Sequence, residues 1–113
     1  MFVAISQDRG LFENLDDPLL FHFHTIMEFE FDPEKSQSNR EKHGIDFNEA
    51  RALWADERHI IVPARSSTEE RYALIGRYRG NLWTCVFTLR NMNLRIISVR
   101  KARDEEKEGY DHR

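Results

Sequence analysis

Between residues 71 and 100 the chain alternates between β-favouring apolar runs and short turn signals. Arg71–Tyr78 (RYALIGRY), Leu82–Leu89 (LWTCVFTL) and Leu94–Arg100 (LRIISVR) are separated only by Arg79-Gly80-Asn81 and by Arg90 with the turn Asn91-Met92-Asn93. Connections that short make consecutive strands antiparallel neighbours, so this stretch of the chain can only be a meander. The middle run carries apolar residues on both faces and should be the central strand. With 113 residues in all, the meander belongs to a single domain with one modest core.

The remaining elements follow from local chemistry. From Phe21 to Phe31 apolar residues alternate (Phe21, Phe23, Met27, Phe29, Phe31) against His22, His24, Glu28 and Glu30, which is the period of a strand. Asp32-Pro33 is a helix start, and Lys42-His43-Gly44 a helix stop. The intervening PEKSQSNREKH has almost no apolar residue, so this helix is largely exposed or faces a partner. Asp46 and Glu49 form a capping-box pattern, and Phe47, Ala50, Leu53 and Trp54 recur at helical spacing toward the core. His59–Ala64 is apolar and β-branched, with Pro63 marking an edge or a strand end. Asp104 is placed to cap a last short helix through Tyr110. The expected order is β-α-α-β-β-β-β-α: an α+β fold with an antiparallel sheet and helices packed on one side. Residues 1–26 stand apart as an extension, an arm or a lengthening of the first strand, and 27–113 as the domain proper.

Charge is unevenly spread along this chain of net charge −3. Residues 1–26 hold four acidic side chains against Arg9. Residues 65–103 hold nine basic side chains and two acidic ones, and the last ten residues return five acidic against two basic. A cationic sheet between acidic ends suits phosphate or an acidic partner; equally, the arginines could be solvated or paired with the acidic tail. The lone Cys85, set among Trp83, Val86 and Phe87, reads as a buried, inert thiol and excludes an intrachain disulfide. No apolar run approaches membrane length and no leader pattern opens the chain, which points to a cytoplasmic protein. His22-x-His24 lacks the further ligands a zinc site needs, and the five glycines are isolated, so neither a metal nor another cofactor is expected.

The basic residues are left to carry the chemistry. Metal-free RNA cleavage needs a group to neutralise the phosphate, a base for the 2′-hydroxyl and an acid for the leaving 5′-oxygen. Arginine, with its planar charged fork, suits the first task. Histidine or glutamate suits the others. His43 is one candidate, since a helix C-terminus favours a protonated imidazole, although Lys-His-Gly is also an ordinary helix stop. In a regular last strand Arg95 and Arg100 fall on opposite faces, so one should meet the ligand and the other an acidic helix residue such as Glu105 or Glu106.

In order, FEFDPEK, N-x-x-KHG-I-x-F-x-EA, E-x-R-x-x-x-IG and RIIS-x-R-x-A resemble the BrnT family of bacterial type II toxins, over about Phe29–Tyr110. That resemblance implies a RelE-like fold and a ribonuclease that slows growth by cutting RNA. It also implies a BrnA-type ribbon-helix-helix antitoxin, a toxin homodimer within the complex, and operator DNA bound only through that complex. Carried onto this sequence, the family's KHG falls on Lys42, His43 and Gly44, its glutamate–arginine pair on Glu70 and Arg71, its strand-end arginine on Arg90, and its RIIS-x-R on Arg95 to Arg100. Arg71, Arg90, Arg95 and Arg100 are then the phosphate-binding candidates, and His43 or Glu70 the acid or base. Lys42, Lys101 and Arg103 are the additional RNA-binding residues. The family's FEWD tryptophan is Phe31 here, and residues 1–26 depart from the pattern. A different reading of the same charge is a non-catalytic module whose basic sheet docks an acidic peptide or its own acidic helix. A DNA-binding regulator fits less well, because no helix is basic along one face.

Overall fold

The computed structural model describes residues 3–6, as backbone, and residues 28–112. The strands are β1 (Val3–Ser6), β2 (Glu28–Phe31), β3 (Ile60–Ala64), β4 (Arg71–Tyr78), β5 (Asn81–Arg90) and β6 (Asn93–Lys101). The helices are α1 (Pro33–His43), α2 (Phe47–Ala50), which runs on into a 3-10 helix (Arg51–Ala55), and α3 (Asp104–Asp111). One sheet holds all six strands in the order β1-β2-β6-β5-β4-β3. The meander β4-β5-β6 is present, and β3, the strand with Pro63, is an edge.

The sheet is mixed, not antiparallel throughout. β2 pairs with β6 in parallel, through Phe29 opposite Leu94 and Glu30 opposite Arg95. The reason is connective: α1, α2 and three strands intervene between β2 and β6, so no hairpin fixes their direction. β1 adds outside β2, antiparallel, with Val3 opposite Phe31 and Ser6 opposite Glu28. The alternation expected from Phe21 is seen from Glu28 onward, while residues 21–27, with His22 and His24, lie outside the described residues.

The two meander turns are tighter than the sequence suggests. Each is a two-residue loop, Arg79-Gly80 and Asn91-Met92, with φ of 50°, 80°, 52° and 68° in turn. Positive φ at both positions is the turn whose twist matches that of the flanking strands.

Caps fix the helices. The Asp32 carboxylate accepts from the Glu34 amide at 2.9 Å, with Pro33 opening α1, and Gly44 closes it at φ 79°. Asp46 and Glu49 form the expected capping box on α2. Before α3 the cap is Arg103, with Asp104 already helical; the Arg103 amide donates to Glu106 at 2.8 Å.

Helices cover both faces of the sheet, against the expectation of one. Adjacent strand residues point to opposite faces, and Leu74 and Ile75 of β4 enter different cores. The larger core packs Ile45, α2 and the 3-10 helix against Phe29, Phe31, Leu74, Cys85, Phe87, Leu94, Ile96 and Val99. Trp54 lies edge-on to both Phe29 and Phe87, with centroids 5.2 Å apart in each case. Gly76 permits that approach, since a Cβ there would sit 3.0 Å from the Leu53 carbonyl oxygen. On the other face α3 seats Tyr110 with Ile75 and Ala102. The Tyr110 hydroxyl donates to Asp56 at 2.8 Å, and the same carboxylate oxygen accepts the Arg77 amide at 2.8 Å.

α1 is attached to the sheet by one polar residue. Asn39 is buried, and its amide donates to the Ile45 and Val99 carbonyls, both at 2.8 Å, while accepting the Val99 amide at 3.2 Å. The β2–β6 pairing ends at Arg95, so beyond it the Asn39 side chain takes the place of a neighbouring strand.

Candidate RNA-binding site

Among the described residues, α3 packs on one half of its sheet face, and Arg71 and Arg95 lie on the other half. Ala64 pairs with Arg71, Tyr72 with Phe87, Thr88 with Arg95, and Glu30 with Arg95. One step along β4 and β5 from Tyr72–Phe87 sets Arg71 beside Thr88. A straight row therefore crosses five strands: Ala64, Arg71, Thr88, Arg95, Glu30. Neighbouring strands lie about 4.8 Å apart, so the backbones of Arg71 and Arg95, two strands apart, are separated by roughly 10 Å.

The two guanidinium groups converge on one carboxylate. Arg95 Nη2 donates to both Glu69 oxygens, at 3.0 and 3.3 Å, and Arg71 Nε donates to Oε2 at 3.2 Å. Arg95 is the more enclosed, its side chain 14% exposed against 33% for Arg71. Thr88 ties the row to the β3–β4 loop, its hydroxyl donating to the Glu70 carbonyl at 2.6 Å. Beside Arg71 an open groove of about 800 Å³ is lined by Ala64, Arg65, Ser66, Ser67 and Thr68.

Glu70 is not part of this cluster. Its carboxylate accepts from the Tyr72 hydroxyl at 3.2 Å, and Tyr72 packs on the larger core. Burial, and then Glu70, raise the Tyr72 hydroxyl above the ordinary tyrosine value. Glu69 takes the place between the arginines, a residue that sequence reasoning passed over. The signal was present in E-x-R itself: two residues before Arg71 is the same strand face, one residue before is the other.

Arg100 shares a face with Arg95, which the regular pleat does not allow. A β-bulge makes the difference: Val86 pairs with Ser98 but Phe87 with Ile96, so β6 carries one extra residue. Ile96 and Val99 both reach the larger core as a result, and Arg95 and Arg100 both face away from it. Arg100 is nonetheless closed off. It forms a two-point pair with Glu106 of α3, at 2.7 and 3.0 Å. Burial by itself would raise the Glu106 carboxyl; Arg100 and the Arg103 amide outweigh it and hold the pKa at about 2.

The other predicted residues are scattered. Arg90 is exposed two residues along β5 from Thr88, hence on the arginine face. Lys101 pairs with Trp83 and so belongs to the opposite face, and Arg103 is exposed at the start of α3. Lys42 and His43 are exposed in the last turn of α1, and no hydrogen bond or ion pair among the described residues joins them to the row. Cys85 is fully buried, and burial raises its thiol far above the ordinary range. Among the described residues, no three His, Cys, Asp or Glu side chains are placed to hold a metal ion, and no helix is long and apolar enough to cross a membrane.

A family described as "Ribonuclease toxin, BrnT, of type II toxin-antitoxin system" matches residues 31–106, which span α1 through to Glu106 and include the whole arginine row except Glu30. The chain belongs to the BrnT family. Its membership makes RNA the phosphate-bearing substrate and an antitoxin the protein partner of a BrnT toxin. No curated protein matches the chain. Phe31, where the resemblance led one to expect tryptophan, is buried edge-on to Phe47 at 5.8 Å, so the position keeps its packing role in this BrnT chain.

Proposed function

We propose that the chain is a metal-independent endoribonuclease and that RNA crosses the half of the sheet face that holds Arg71 and Arg95. The observation that carries this reading is the convergence of Arg71 and Arg95 on a single anionic group. Two guanidinium groups held around one carboxylate are also arranged to hold one phosphate, and to stabilise it as charge develops in the transition state. Arg90 adds charge on the same face. In the proposed step the 2′-oxygen attacks phosphorus, the 5′-oxygen leaves with a proton, and the products are a 2′,3′-cyclic phosphate and a 5′-hydroxyl. His43 is the proposed proton donor or acceptor, with Lys42 beside it for the backbone. Glu70 is turned toward Tyr72 and is the weaker candidate for that role.

The partner in this reading is a BrnA-like ribbon-helix-helix antitoxin that covers the basic face. The toxin would be a homodimer within that complex and reach operator DNA through the antitoxin.

Induction of the chain without antitoxin should stop growth, and the purified protein should cut RNA in the presence of a chelator. Intact RNA and unaffected growth would sink the proposal. His43→Ala should lower kcat about 100- to 10,000-fold if it moves the proton. A second reading also has an observation behind it. Arg100 already docks the chain's own acidic helix through Glu106, as a non-catalytic, acid-docking sheet would. RNA affinity that falls steeply with salt across many sequences favours the ribonuclease; one tight acidic peptide ligand and no cleavage favours the module.

A further inference from the structure

We infer that Glu69 is an internal counterion that occupies the phosphate position in the resting protein and is exchanged for the RNA backbone. The geometry supports exchange over a fixed structural bridge. Glu69 presents both oxygens to the arginines, accepting two bonds from Arg95 and one from Arg71. A phosphate offers the same pair of acceptor oxygens to the same donors.

Beyond the two arginines, Glu69 is held by its place in a loop. It lies in the polar loop 65–70, where Arg65 to Thr68 are all exposed. The bonds that shape the loop around it are long, 3.4 and 3.3 Å from the Thr68 and Glu69 amides to the Ser66 hydroxyl. The groove beside Arg71 gives the side chain somewhere to go. By contrast, Thr88 anchors the neighbouring Glu70 carbonyl at 2.6 Å, so the loop has a firm end beside Glu69.

Two consequences follow from one residue. Without RNA, the carboxylate keeps two positive side chains converged that would otherwise repel, so the site is assembled before substrate arrives. With RNA, a ligand must outcompete an anion already in place. A single small phosphate does this poorly, whereas a polyanion that also meets Arg90 does it well. Glu69 is on this account a positioning residue, and the inference rests on the arginine row being the phosphate site.

The test uses the full chain and inorganic phosphate, followed by the side-chain Nε–H resonance of Arg95, with RNA cleavage measured alongside. Glu69→Gln and Glu69→Ser should each bind phosphate about five- to tenfold more tightly than the parent chain. Arg71→Ala should abolish that gain, and the KM for RNA should fall in both Glu69 variants. Equal or weaker phosphate binding in both variants would overturn the exchange. So would a loss of kcat with phosphate affinity unchanged, which would make Glu69 a base. If the variants gain phosphate affinity while the parent chain leaves RNA uncut, the exchange stands and the ribonuclease reading falls.

Discussion

Arg95 and Arg100 present their side chains on the same face of β6 although they stand five positions apart, an odd step, and each is held by a different glutamate. Glu69 comes from a loop and Glu106 from a helix. The two arginines therefore differ in partner and not, as the sequence led one to expect, in face. Arg95 and Arg71 should act on RNA, and Arg100 should hold α3. Arg71→Ala or Arg95→Ala should cost cleavage about 100- to 1,000-fold, with thermal stability nearly unchanged in Arg71→Ala. Arg100→Ala should instead lose on the order of 2 kcal/mol of stability, because it strands Glu106. Urea unfolding and a cleavage assay on the three variants separate the roles; equal effects of all three on either measurement would contradict the division.

Met92 stands at φ 68°, half exposed, in a turn whose second position normally takes glycine. A side chain in the left-handed region costs about 1 kcal/mol. Met92→Gly creates the favoured Asn-Gly pair and should stabilise the fold by about 0.5–1 kcal/mol, read as a higher midpoint in denaturant. A lower midpoint would mean that Met92 makes contacts worth more than the strain.

The meander, its edge at Pro63, the caps of α1 and α2 and the buried Cys85 were legible because each depends on residues close in sequence. What was not legible depends on pairing across the sheet. The parallel β2–β6 contact joins segments some 65 residues apart, and nothing local to Phe29 or Leu94 states their relative direction. The bulge is subtler. In a regular strand Ser98 and Arg100 would share a face with Ile96, and Val99 would point away; burying Val99 in their place needs one extra residue. The break in alternation from Ile96 to Val99 was its only trace in the sequence. The candidate site was half legible for the same reason. The arginines were visible by charge, but Glu69 was separable from Glu70 only by strand parity.

Asn39 joins α1 to the sheet with a side chain that sequence patterning reads as surface. Asn39→Ala leaves the Val99 amide and two carbonyls without their partner in a buried place, at ~1–3 kcal/mol for a group that stays unpaired. A total loss of about 3 kcal/mol is expected, together with faster hydrogen exchange at the Val99 amide. Asn39→Asp keeps the acceptor for that amide but loses both donated bonds, so it should protect Val99 better than alanine while still destabilising. Unchanged exchange at Val99 in the alanine variant would show that β6 does not depend on Asn39.

Glu106 gives the fold a defined acid limit. Its folded pKa of about 2 lies below the ordinary 4.5, so the group binds a proton more readily in the unfolded chain. A depressed carboxylate stabilises fully above its unfolded pKa, and the contribution is lost as pH falls through the folded value. The window is therefore about pH 4.5 down to about 2, and the part at stake is on the order of 2 kcal/mol after allowance for partial exposure. Glu106→Gln should be less stable than the parent at pH 6, and the difference should shrink steadily toward pH 2. Because α3 is what the pair holds, its release should appear as Tyr110 losing the Asp56 bond that, after burial, raises its hydroxyl pKa. Urea midpoints for both chains at pH 6, 4 and 2.5 check the sign, and a difference that widens on acidification would exclude the Arg100–Glu106 pair as its source.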